Sequence, residues 1–186
     1  MSAPEGTRRS SGGFEEERII LPTVALCSSG DAGDIRVLEE LFSSVRWGSG
    51  VIERELAEPG LGVLYLGARL SRRLAGYAVL RADSDRLHLL NLVVDERYRR
   101  RGIASSLLLG AFELGGYLGC SNIRLVTQAT NSGAIALYEE LGFSNVTSRG
   151  RYYRDGSDGI EMERSLKEEA QWWKSANASG RRRLFF

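Results

Sequence analysis

Apolar and polar positions along this chain follow two rhythms, one suited to strands and one to helices. Val24-Ala25-Leu26-Cys27 is a short β-like run. Beyond it Ile35, Leu38, Leu41 and Phe42 recur at helical spacing, and Asp31 stands where a cap belongs, which predicts a helix through about Val45. A shorter helix is expected over Val51 to Ala57, ending before Glu58-Pro59-Gly60. Val63-Leu64-Tyr65-Leu66 and Leu74 to Leu80, separated by Ser71-Arg72-Arg73, predict an antiparallel hairpin. Arg86 to Val94 is nearly all apolar after His88, as expected of a strand covered on both faces. Ile103, Leu107, Ala111, Leu114 and Leu118 then mark a long helix that Gly119 would end. Ile123 to Thr127 reads as a strand, and Ser132 to Leu141 as a helix closed by Gly142, with Ala134, Leu137, Tyr138 and Leu141 on one stripe. Phe143 to Arg149 and Ile160 to Ser165 are the last strands expected. Strands and helices in this order predict an α/β sheet layered with helices.

Composition narrows the class. A chain of 186 residues, 42% hydrophobic, suits one domain. Residues 1–18 are polar and glycine-rich and read as a flexible tail, leaving 19–166 as the domain and 167–186 as a C-terminal helix with a basic tail. Trp172-Trp173 belong to that helix, and Arg181-Arg182-Arg183 to the tail. Lys plus Arg (25) nearly cancel Asp plus Glu (24), so the bulk charge expected of a nucleic-acid binder is missing. No apolar run approaches the roughly 18 residues of a membrane span. The acidic Phe14-Glu15-Glu16-Glu17 segment is unlike a secretory or organellar leader. Two cysteines make no disulfide scaffold, and a single histidine, His88, argues against a metal site. A cytoplasmic monomer or homodimer without nucleic-acid or membrane partners is expected.

The most informative stretch runs from Val93 to Ser105, where a strand feeds the turn Arg99-Arg100-Arg101-Gly102 and that turn opens a helix. Backbone N–H groups at a helix N-terminus lack internal partners, and the macrodipole makes that end positive. Gly102 and Ala104 leave room for a ligand's approach, so the turn suits phosphate oxygens. The glycine pattern is neither a dinucleotide fingerprint nor a Walker loop.

Arg99-x-x-Gly102-x-Ala104 resembles the coenzyme A pyrophosphate loop of the GNAT acetyltransferase superfamily. Asn131-Ser132-Gly133-Ala134-Ile135-Ala136-Leu137-Tyr138-Glu139-Glu140-Leu141-Gly142-Phe143 is similar to a second signature of that family, and Tyr152-Tyr153 with Asp158-Gly159-Ile160-Glu161-Met162 to its branch acetylating protein N-termini, including the ribosomal-protein alanine acetyltransferases. The resemblance implies a mixed, mostly antiparallel sheet with helices on both faces, and acetyl transfer from acetyl-CoA to a primary amine in a ternary complex. It places Arg99, Arg100, Arg101, Gly102, Ile103, Ala104 and Ser105 at the diphosphate. It sets backbone groups of Leu92, Val93 and Val94 beside the pantetheine arm and thioester carbonyl, where the fourth strand splays from the fifth, with Asn131 nearby. Tyr152 and Tyr153 are expected to line the acceptor groove.

Two protons must move. Tyr138 matches the position that protonates the departing thiolate, a task a phenol near pKa 10 can perform. The base is less determined. The branch acetylating ribosomal N-termini carries a glutamate where this chain has Val126, and valine accepts no proton. A second family location, fourteen residues before Gly102, holds His88 here, a side chain suited to proton transfer at neutral pH; an ordered water is the alternative. Deprotonating an α-amine at pH 7 costs about 1.4 kcal/mol and a lysine amine about 4.6, which favours a peptide N-terminus as acceptor. A small-molecule amine, such as a polyamine or an amino-acid derivative, and a CoA-binding module with impaired chemistry are the alternatives.

Overall fold

The structure is a computed structural model and describes residues 21–43, 48, 50–58 and 62–171. The expected N-terminal tail, Trp172-Trp173 and the arginine triplet lie outside the described residues. Among the described residues, seven strands and four helices follow in the expected order up to residue 165. They are β1 (Thr23–Leu26), α1 (Ala32–Phe42), α2 (Val51–Ala57), β2 (Val63–Leu70), β3 (Arg73–Asp83), β4 (Arg86–Val94), α3 (Ile103–Leu118), β5 (Asn122–Gln128), α4 (Ser132–Glu140), β6 (Ser144–Arg149) and β7 (Gly159–Ser165). Residues 167–171 are helical as well. The strands form one sheet in the order β1-β2-β3-β4-β5-β7-β6. Only β4 and β5 run parallel, a pairing that requires the long α3 crossover between them. The β2–β3 and β3–β4 hairpins close tightly at Ser71 and Ser84, both with positive φ, as two-residue turns matched to strand twist demand.

The sheet separates two cores. Leu66, Leu80, Leu87, Leu89, Ile123, Leu125 and Met162 pack under α3, whose Leu107, Leu108 and Phe112 face them, and Tyr138 and Phe143 close that layer. On the other face α1 and α2 bury Ile35, Leu38 and Ile52 against Tyr65, Tyr77, Val79 and Val93. This second layer stops at β4. A helix is about 10 Å wide and strands about 4.8 Å apart, so two short helices cover only part of seven strands.

Three expectations are corrected here. β4 is not covered on both faces: Leu87, Leu89 and Val93 are buried, while His88, Leu90 and Asn91 are half-buried where the second layer thins. The first long helix ends at Phe42, because Ser43 is extended (φ −87°, ψ 135°), and Val45 lies outside the described residues. Asp31 does not cap α1 with its side chain. Its carboxylate turns back to the Ser28 N–H (2.7 Å) and pairs with Arg69, a partner far along the chain.

Candidate active site

The site begins where β4 and β5 part. Their parallel pairing runs from Arg86↔Asn122 to Leu89↔Leu125 and then stops. At the same level β4 bulges: Leu89 pairs with Leu80 and Asn91 with Val79, leaving Leu90 as the extra residue. The Asp95 N–H donates to the Ala75 carbonyl (3.0 Å). By ladder alternation Val93 then spends its amide and carbonyl on Tyr77, and the main-chain groups of Leu92 and Val94 face the gap. Val93 therefore departs from expectation: its polar backbone points into β3 and its side chain is buried under α1. On the opposite edge the Ala129 N–H bonds the Asp158 carbonyl, so the same alternation turns the Val126 carbonyl into the gap. Two side chains hold these gap-facing groups. Asn91 Oδ1 accepts from the Leu92 N–H (3.0 Å), and the Tyr153 hydroxyl donates to the Val126 carbonyl (3.3 Å).

Beyond the gap, β4 passes into the basic turn. The Asp95 side chain, 1% exposed as a residue, accepts from the Arg97 N–H (3.0 Å) and from the Arg97 guanidinium (2.6 Å at Nη2). That guanidinium holds the Asp95 carboxyl below the usual carboxylate range. The fold thereby fixes the direction in which the chain leaves the strand. Arg99 bonds Glu96 (3.0 Å), and Arg97 and Arg101 lie over the Tyr98 ring at 5.7 and 6.0 Å. Arg100 (φ +60°) and Gly102 (φ +76°) are both left-handed. Such alternation turns successive amides towards one concavity. Among the described residues the N–H groups of residues 100–105 meet no acceptor, and the first internal bond is from the Ser106 N–H to the Gly102 carbonyl (2.9 Å). A Cβ on Gly102 would touch nothing within 4 Å, so the mouth of this concavity is open. The donor set fits a diphosphate: aimed amides, the positive end of a 16-residue helix and the guanidiniums of Arg100 and Arg101.

Tyr138 sits on α4, 7% exposed, edge-on to Phe143 with ring centroids 5.6 Å apart. Burial, then the neighbouring Tyr153, push its hydroxyl up to about 12, so it stays protonated at any physiological pH. The Asn131 side chain caps α4, its Oδ1 accepting from the Ala134 N–H (3.2 Å). Tyr152 and Tyr153 stand in the β6–β7 connection with rings perpendicular at 5.1 Å; Tyr152 is exposed, whereas Tyr153 reaches the gap.

His88 is placed differently. Leu87 and Leu89 belong to the α3 layer, so His88 between them faces the other side of the sheet, as do Arg124 and Val126 on β5. Partial burial and the surrounding Arg81, Arg86 and Arg124, opposed by Asp83, hold its pKa below the ordinary histidine value. It is neutral at pH 7, as a base must be. Tyr138 and His88 thus lie on opposite faces of the sheet, His88 one residue before the last β4–β5 pair. The carboxylate beside Val126 is Glu161, its cross-strand partner on β7. It is 6% exposed and bonded to Arg124 (3.2 Å) and to Arg149 (2.6 and 2.8 Å).

This arrangement agrees with the comparisons. Residues 34–143 match the model of the acetyltransferase (GNAT) family. The chain belongs to this family. It is 36% identical over 125 residues to the N-alpha-acetyltransferase RimI of Mycobacterium tuberculosis, covering 63% of this chain and 75% of that protein. It is 35% identical over 102 residues to the ribosomal protein bS18-alanine N-acetyltransferase of Escherichia coli K12, covering 54% of this chain and 68% of the relative. The crystal structure of the ribosomal-protein-S18-alanine N-acetyltransferase from Escherichia coli superposes with a TM-score of 0.70 at 27% identity, over 78% of this chain and 94% of that one. Within the GNAT frame, sequence reasoning missed Asn91, Asp95 and the Glu161 clamp. Asp95 had a local signal, an acid two residues before an arginine at a strand end. Asn91 and Glu161 had none, since their partners lie on other elements.

Proposed function

We propose that this GNAT protein transfers the acetyl group of acetyl-CoA to the α-amine of a protein or peptide N-terminus, by direct attack within a ternary complex. The observation that carries the reading is the parting of β4 and β5 immediately before the open amide turn. It offers a thioester a slot lined by main-chain groups of Leu92 and Val94 on one side and Val126 on the other, with its diphosphate at the start of α3. The amine approaches from the α1 side, where the sheet is uncovered. His88 takes a proton from the ammonium, the amine nitrogen attacks the acetyl carbon, Tyr138 gives its proton to the departing thiolate as the C–S bond breaks, and the proton shed by the acylated nitrogen restores Tyr138. Arg99, Arg100, Arg101 and the amides of Gly102, Ile103, Ala104 and Ser105 hold the diphosphate, and the free amide of Asn131 reaches towards the pantetheine arm. Tyr152 and Tyr153 flank the acceptor. The names of the relatives support an N-terminal α-amine as acceptor.

Val126 in place of a glutamate favours one rival, a CoA-binding module with impaired chemistry. Thiol release from acetyl-CoA with peptides bearing free α-amines, α-blocked lysine peptides and polyamines separates the readings. Turnover greatest with free α-amine peptides is expected. Turnover only with polyamines refutes the acceptor assignment, and CoA binding without any turnover establishes the rival.

A further inference from the structure

The polar groups of β4 that face the gap are few, and one already has an internal partner. The Leu92 N–H, which the bulge turns towards β5, donates to Asn91 Oδ1 (3.0 Å). The Asn91 carboxamide is itself held: its Nδ2 donates to Ser43 Oγ at the end of α1 (3.1 Å) and lies 3.5 Å from the buried Tyr77 hydroxyl on β3. A carboxamide gripped from two elements presents its oxygen in one place. An amide C=O and a thioester C=O are the same kind of acceptor, and one N–H serves one of them well.

We infer that Asn91 is a positioning residue whose carboxamide oxygen occupies the Leu92 N–H until the acetyl carbonyl of the co-substrate displaces it. The inference rests on the reading of the gap as the thioester slot. Its consequence is selectivity between the two forms of the carrier. CoA carries no acetyl oxygen and leaves the Asn91–Leu92 bond intact, whereas acetyl-CoA exchanges that bond for its own. The internal bond lowers affinity for the acetylated form alone.

The test is the ratio of the dissociation constants for CoA and acetyl-CoA, by titration calorimetry on the full chain. Asn91→Ala removes the competing acceptor and is expected to favour acetyl-CoA over CoA by about three- to tenfold more than wild type, the worth of one ordinary hydrogen bond. Asn91→Asp keeps an acceptor, strengthened by charge, and is expected to move the ratio the other way. A merely structural role changes both affinities together and leaves the ratio fixed. An unmoved ratio in Asn91→Ala, with CoA binding retained, overturns the inference and spares the functional reading. Should Asn91→Ala fail to fold, an unmoved ratio in Asn91→Asp overturns it equally. A wild-type chain that binds neither form overturns the functional reading, and this inference with it.

Discussion

Replacing Gly102 by alanine separates what the turn costs in stability from what it does for a ligand. Gly102 is left-handed at φ +76°, and a Cβ there would touch nothing. Alanine therefore pays no steric penalty against neighbours, only the left-handed backbone penalty of about 1–2 kcal/mol. For a chain of this size that is a fall in Tm of about 2–8 °C. Gly119, which ends the same helix, is the matched control: its φ is +79° and its Cβ would also touch nothing. Gly119→Ala is expected to lose the same stability. The two differ in what strain relief does. At residue 102 a backbone relaxing out of the left-handed region swings the peptide planes on either side of it and takes amides off aim. Charge-assisted bonds from amides to phosphate are worth about 1.5–3 kcal/mol each, so Gly102→Ala should weaken CoA binding by at least about tenfold. Gly119→Ala should leave it unchanged. Scanning fluorimetry and calorimetry on both variants provide the measurement. Equal losses of CoA affinity in the two, or wild-type affinity in Gly102→Ala, would refute the reasoning.

The proton-moving groups carry further expectations. Tyr138→Phe removes a hydroxyl that has no hydrogen-bond partner among the described residues, so Tm should barely change while kcat falls by about 10²–10⁴. With that hydroxyl near 12, wild-type activity should also show no alkaline decline from this group below about pH 10. His88 is held below the ordinary histidine value, and in the proposed mechanism its neutral form is the base, so kcat/KM should be level through neutral pH and fall only on the acid side of the ordinary histidine range. His88→Gln should abolish that acid limb and lower kcat by about a hundredfold or more; a profile unchanged by the substitution eliminates the assignment.

Legibility in the sequence divides by the range of the interaction. The Arg99–Ser105 turn was readable because everything it needs is local: a strand, basic residues, a glycine, then a helix. The place of Tyr138 on a buried helix stripe was readable from the local spacing of apolar residues. Features set by register were not. The bulge at Leu90 has no mark of its own in Leu89-Leu90-Asn91-Leu92, yet it puts Leu90 and Asn91 on one face and turned an apparently two-face-buried run into a half-covered strand. Asp31 read as a helix cap because a cap is local, but Arg69 and the Ser28 amide compete for the same carboxylate. Val126 read as the loss of a carboxylate. The register shows that a carboxylate, Glu161, does stand beside it, one strand over and held by two arginines.

That last pairing bears on which amines such a site can serve. On the face of β5 and β7 that no described helix covers, Glu161 and Glu163 are both in ion pairs with arginine, and Arg124 bonds both. An incoming ammonium meets no unpaired carboxylate from either, and it approaches the arginine-rich surroundings of His88. Those guanidiniums disfavour the charged form of an amine as they disfavour the charged form of the histidine. Part of the deprotonation cost is thus met electrostatically before His88 acts. For an α-amine near pKa 8 the remainder is at most about 1.4 kcal/mol at pH 7, a small gap for a histidine base to close. For a lysine near 10.4 it begins from about 4.6 kcal/mol, a gap of more than three units that the same surroundings must close alone. If His88 is the base, as proposed, a site that places these glutamates in ion pairs is matched to α-amines, and it would need a further, desolvating wall to accept lysine at a comparable rate.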